Sequence, residues 1–89
     1  MSIMDDVNAL RNIASSHLIA VAEIREVKHK LLELSAKLIA ILGPNFGAND
    51  DLRNRASNAD IRLDSAVTAL LTYETAIHDV ADRIERTGG

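Results

Sequence analysis

Leu42-Gly43-Pro44-Asn45-Phe46-Gly47-Ala48-Asn49-Asp50-Asp51 sets the architecture of this chain. Its core, residues 43–49, is the only cluster of helix breakers between residue 3 and residue 87. Gly43 suits the position just past a helix C-terminus, where a left-handed backbone closes the last turn, and Pro44 cannot continue the helix. Asn49 is a good N-cap for a second helix. Asp50 and Asp51 then fall in a first turn, where the helix dipole favours acids. At the front of the chain, Ser2 with Asp5 has the spacing of a capping box, with Asp where Glu is usual. The spacing predicts one domain over 1–89. It holds a helix over about 4–42, a turn over 43–49 and a second helix over about 50–86.

Hydrophobic periodicity supports two long helices. In the first, Leu10, Ile13, His17, Ala20, Ile24, Val27, Leu31, Leu34, Leu38 and Ile41 follow steps alternating between three and four. In the second, Leu52, Ala56, Ala59, Leu63, Ala66, Leu70, Tyr73, Ile77, Val80 and Ile84 do the same. A 3.5-residue period held this long is the pattern of a coiled-coil seam. Folding the chain back at Phe46 brings the seams together, with the residue numbers of facing pairs summing to 93 or 94. Large then faces small: Leu34 on Ala59, Leu38 on Ala56, Val27 on Ala66, Tyr73 on Ala20. The expected fold is all-α, two long antiparallel helices in a hairpin.

Outside the seams, acids precede bases by four residues: Glu26 with Lys30, Glu33 with Lys37, Asp51 with Arg55, Asp79 with Arg83, Asp82 with Arg86. That order supports helices by about 0.2–0.5 kcal/mol a pair and reads as a solvated face. Apolar residues remain off the seam: Val7, Leu18, Val21, Leu32, Ile39 and Leu42 on the first helix, Val67 and Leu71 on the second. Two helices have no interior to hide them. The expectation is pairing into a four-helix bundle or a larger oligomer. The residues expected at the partner are Leu18, Val21, Leu32, Ile39, Val67 and Leu71, with Phe46 at the tip as a staple or a contact.

Composition excludes several functions. The 89 residues carry a net charge of −3, with no run of like charge that would hold a nucleic-acid backbone. Aromatics are 2%, too few for a base-stacking platform. There is no Cys, so no disulfide scaffold, thiolate nucleophile or cysteine zinc site. No apolar run reaches a membrane span, and the acidic N-terminus does not read as a signal peptide. The expected location is cytoplasmic, or secreted without a cleaved signal peptide.

Chemistry is thinly represented. His17 is the one polar residue of the first seam and reads as a partly exposed, hydrogen-bonded histidine; register setting or pH sensing is the alternative. His78 has Glu74 four before and Asp82 four after, a spacing shared by metal sites and by solvated ion clusters. His29 sits among Arg25, Lys28 and Lys30 and reads as surface. Ser15 and Ser16 adjoin His17 in sequence, but helix neighbours do not face one another, so no nucleophile pair forms. Phosphate loops, H-E-x-x-H and EF-hand patterns are missing. No enzyme activity, metal or cofactor is expected.

The layout resembles the small WXG-motif, ESAT-like proteins of type VII secretion systems, across the whole chain and most specifically at residues 42–51. The resemblance implies a helix–turn–helix hairpin that dimerises with itself or a second hairpin. Its partners would be a secretion apparatus or a toxin. Family members place a Trp before a Gly at the tip; here Phe46-Gly47 stands in for it. The family's export signal is a Tyr followed four residues later by an acid. Tyr73 is followed at that distance by Ile77, so a partner chain would supply the signal. A looser resemblance links the chain to phage hairpin proteins that sequester cyclic nucleotide immune signals. It rests on Ile24-Arg25, Arg55-Ala56 and Leu63 with Ala66. It implies ligand pockets between protomers, with Arg25, Lys28, Arg55, Arg62 and Tyr73 as ligand-binding candidates. A dinucleotide needs cations for its phosphates and a flat group for its bases.

Overall fold

A computed structural model describes residues 2–43 and 47–88, with 47–49 described by backbone alone. The chain is a helical hairpin of two long elements, α1 Ile3–Leu42 and α2 Gly47–Arg86. Among the described residues there is no strand. The capping box forms at the front. The Ser2 backbone N–H donates to Asp5 Oδ2 at 3.3 Å, and the Asp5 N–H donates to Ser2 Oγ at 3.2 Å. α1 closes as its sequence requires: Gly43 has φ +78° and donates its N–H to the Ile39 carbonyl at 2.9 Å. α2 starts at Gly47, ahead of the expected boundary, so Asn49 lies in its first turn and not at its cap. Pro44 and Phe46 lie outside the described residues. At the far end Gly88 is again left-handed, with φ +70°. The Thr87 N–H donates to the Arg83 carbonyl at 3.0 Å.

The chain divides into two compact units. Unit 1 joins Met1–Ala22 to Val67–Gly89, and unit 2 is Glu23–Ala66. In unit 1, Arg11 reaches Asp82 and Glu85, and His17 meets Tyr73, so α1 and α2 run antiparallel there. In unit 2, Lys28 on α1 meets Asp60 and Asp64 on α2.

The seam of α1 differs from the expected one. Leu10, His17, Ile24 and Leu31 are half-buried, as a seam column should be. The second column is not Ile13, Ala20, Val27, Leu34 and Ile41. It lies one residue on, at Val7, Ala14, Val21, Lys28, Ser35 and Leu42. Val7 and Val21 are buried, at 0% and 2% exposure, while Ile13 and Ile41 stand 54% and 81% exposed. Val27, Leu34 and Leu38 are exposed as well. Two physical reasons favour the shifted column. Ala14 and the valines are small enough to let α2 approach closely. The shift also turns Lys28 towards acids on α2, where a charge-assisted bond forms.

The large members of the expected large-on-small pairs, Leu34, Leu38, Val27 and Tyr73, are exposed. Tyr73 meets His17, with ring centroids 4.9 Å apart and planes at 77°. The expected seam of α2 holds at Leu52, Ala56, Ala59, Leu63, Ala66, Leu70, Ile77 and Ile84, all half-buried. It fails at Tyr73 and Val80, which are exposed, while Glu74 and Ala81 take the inner positions. An α-helix has 3.6 residues per turn, so a strict 3.5-residue column drifts about 20° per heptad. The column of Leu52, Ala59 and Ala66 accordingly passes to Glu74 and Ala81, while Ile77 and Ile84 stay in the seam.

Candidate interaction surface

The seam leaves a broad apolar surface uncovered. Among the described residues, the buried hydrophobic side chains are Val7, Ala14, Val21 and Ala81, two valines and two alanines. The exposed large ones include Ile13, Leu18, Ile19, Val27, Leu32, Leu34, Leu38, Ile41 and Ile61. Single exposed apolar residues are ordinary, but contiguous patches mark places where another surface binds. In α1 the exposed residues are not scattered. Ile13, Val27, Leu34 and Ile41 are exposed and recur at seven-residue spacing, with the half-buried Ala20 in the gap, and they form one column beside the half-buried Leu10, His17, Ile24 and Leu31. In unit 1 this column borders a shallow apolar groove of about 410 Å³, lined by Ile13, Ser16, His17, Ala20 and Leu70.

The residues expected at a partner fall into three groups. Leu18, Leu32 and Leu71 are exposed. Ile39 and Val67 are half-buried, sharing their surface with the hairpin itself. Val21 is buried against α2 and is not available to a partner. The expectation for Val21 came from taking the wrong neighbouring column as the seam. Phe46 lies outside the described residues. The exposed column itself was missed as a partner surface because its hydrophobicity made it the natural seam. The signal that separates the two columns is Lys28, seven residues after Val21, with Asp60 and Asp64 available on the other helix.

Two ion clusters cross between the helices. In unit 1, Arg11 Nη2 donates to Asp82 Oδ1 at 2.9 Å and to Glu85 Oε2 at 2.7 Å. Hydrogen bonds, to Glu85 first and then Asp82, raise the Arg11 guanidinium above its ordinary value. Asp82 therefore serves Arg11 and not the expected Arg86. In unit 2, Lys28 Nζ donates to Asp64 Oδ1 at 2.7 Å and lies 3.6 Å from Asp60 Oδ1. The Asp64 hydrogen bond is the largest cause raising the Lys28 ammonium, with the nearby Asp60 and Asp64 charges adding to it against desolvation. Asp60 Oδ1 is buried without a hydrogen bond, so the Lys28 charge is what compensates it. Of the expected pairs along one helix, Glu33 with Lys37 and Asp51 with Arg55 form, at 3.8 and 3.0 Å.

The ligand-binding candidates, expected at pockets between protomers, divide between the two units. Lys28 is held by two carboxylates and Arg55 by Asp51. Arg25 and Arg62 are exposed. Tyr73 belongs to unit 1, where its ring meets His17. His17 donates through Nδ1 to the Ile13 carbonyl at 2.9 Å, which fixes its tautomer when neutral and leaves Nε2 free to accept. His78 Nε2 lies 3.8 Å from Glu74 Oε1. Among the described residues, no group of three or more His, Asp or Glu side chains is placed to hold a metal ion. Nor, among them, is any helix long and apolar enough to cross a membrane. No protein family, curated protein or solved structure matches the chain.

Proposed function

We propose that this chain is a non-enzymatic interaction module whose working form is an assembly of helical hairpins. One observation carries the reading: among the described residues, two valines and two alanines are the buried hydrophobic ones, while Val27, Leu32, Leu34, Leu38 and Ile41 face water. Fully burying a Val, Leu or Ile side chain is worth about 1.5–3 kcal/mol, so covering this surface is the largest stabilisation open to the molecule. A hairpin that gains its core by association is a partner-dependent adaptor. Its functional counterpart is the WXG-like hairpin of type VII secretion, acting as a homodimer or heterodimer, as an exported substrate or as a targeting partner. The supports for that finer assignment are the hairpin layout and the tip sequence Phe46-Gly47.

Native mass spectrometry of the protein as purified from cells tests the proposal. A mass of two or more chains is expected, and Leu34→Asp should shift it to one chain. A fully folded, cooperatively melting monomer at all concentrations overturns it. A higher oligomer carrying extra masses of several hundred daltons would instead favour nucleotide sequestration, the second reading of the sequence. Heat-stabilisation by a cyclic nucleotide would then follow by mass action.

A further inference from the structure

We propose that the exposed column of α1 is covered by a second copy of this chain, whose α1 lies antiparallel to the first with the two-fold axis between Ile24 and Val27. This rests on the interaction-module reading and names the partner and its register.

α1 is a helix with two seams. Leu10, His17, Ile24 and Leu31 belong to both. With Val7, Ala14, Val21 and Lys28 they face α2; with the exposed Ile13, Val27 and Leu34 and the half-buried Ala20 they form a second, open seam. In antiparallel coiled coils the residues flanking a seam on one side meet their own kind on the partner. Here that flank is Ser16, Glu23, Lys30 and Lys37. Glu23 and Lys30 are exposed, and among the described residues neither has an ion-pair partner.

Charge selects the register. With the axis between Ile24 and Val27, Glu23 of each copy lies beside Lys30 of the other, which makes two opposite-charge pairs by symmetry. In the core, Ile24 packs on Val27 of the second copy, and Leu31 on Ala20, a large side chain on a small one. Sliding the copies by one heptad in one direction sets Lys30 against Lys30, and in the other direction Glu23 against Glu23. A parallel arrangement sets the two columns in identical register and brings no such cross-pair at the axis. The pattern is thus complementary to its own reverse, which is the requirement of a two-fold interface.

The chain has no cysteine of its own, so introduced thiols report the register directly. Ile24→Cys and Val27→Cys variants, each checked for helicity by circular dichroism, are mixed and oxidised. The mixed 24–27 disulfide should exceed both like-with-like products by about tenfold, since antiparallel core layers place these two positions opposite one another. A second measurement uses charge. Glu23→Lys or Lys30→Glu alone should weaken the dimer by about tenfold, two attractive pairs becoming two repulsive ones. The double swap should restore wild-type affinity. Predominant 24–24 and 27–27 products, or a double swap no tighter than the single changes, overturn the inference. If native mass still shows an assembly in that case, the interaction-module reading stands and only this register and face fall. A wild-type monomer at every concentration removes both.

Discussion

The two units solve the same problem, holding α1 against α2, by different means. In unit 1 the inner column is Val7, Ala14 and Val21, joined by Ala81 from α2, and every hydrophobic residue buried among those described belongs to this unit. In unit 2 the same column continues as Lys28 and Ser35, with Lys28 paired to Asp64 and Asp60. Apolar contact is non-directional and tolerates small slips. A lysine set between two acids is satisfied in one register only, as a polar residue in a coiled-coil seam specifies alignment at a cost in stability. Both units set a cation between two acids, Arg11 in unit 1 and Lys28 in unit 2, but only unit 1 adds buried hydrophobic residues among those described. Unit 2 also leaves Val27, Leu32, Leu34, Leu38, Ile41 and Ile61 exposed, so the segment with least apolar core of its own has much to gain from a partner.

The largest effect should come from breaking the apolar unit. Val21→Asp places an uncompensated carboxylate at a buried site and should cost about 3 kcal/mol or more, read by urea unfolding at fixed protein concentration. The contrast is Leu34→Asp, an exposed position in unit 2. That variant should keep its helical signal and lose mass, becoming a monomer by sedimentation. If Leu34→Asp retains the native mass and melting point, the partner surface lies elsewhere.

Smaller, Val7→Ala removes two methyl groups from a fully buried side chain. A loss of about 1.5 kcal/mol is expected from the transfer of those groups alone. An unchanged urea midpoint would mean that unit 1 has less of a core than its burial implies.

Unit 2 should respond to chemistry more than to volume. Lys28→Met keeps most of the apolar stem and removes the charge, leaving the buried Asp60 oxygen uncompensated, so the melting temperature should fall. Adding Asp60→Leu should recover part of that loss, because a buried ion pair replaced whole by apolar groups is often neutral. Failure of the second change to recover anything would show that Asp60 has another role.

The smallest effect is that of pH. The folded state raises the Lys28 ammonium above the ordinary lysine value of 10.5. A raised value in the folded state means a contribution fully present below that ordinary value and lost as pH climbs through the folded one. Melting temperature should therefore decline above about pH 10.5 more steeply for the wild type than for Lys28→Met. Parallel curves for the two proteins would show that Lys28 does not report on folding.

Local signals in the sequence sufficed wherever a few neighbouring residues decide the outcome. Ser2 with Asp5, and Gly43 after Leu42, terminate helices through bonds made within four residues, so both were legible. Leu10, His17, Ile24 and Leu31 were legible as seam residues because both possible seams share them. The choice between Val7-Ala14-Val21 and Ile13-Ala20-Val27 as the inner column was not. Hydrophobicity favours the second, and α1 alone holds no information about which face α2 will take. Tyr73 and Val80 were misplaced for a related reason, since a 3.5-residue template applied to a 3.6-residue helix accumulates error along its length.

Periodicity, caps and breakers act over one or two turns, so the amino-acid order was enough to specify two long helices, their ends except the start of α2, and their antiparallel return. It was also enough to show that more apolar surface exists than two helices can bury. Which apolar column closes the hairpin, and which is left to a partner, emerged with the packed fold alone. That choice depends on close approach at Ala14 and Ala81, and on where the cations of Arg11 and Lys28 find their acids across the seam. Those contacts join residues dozens of positions apart, and no local pattern in the chain ranks one against the other.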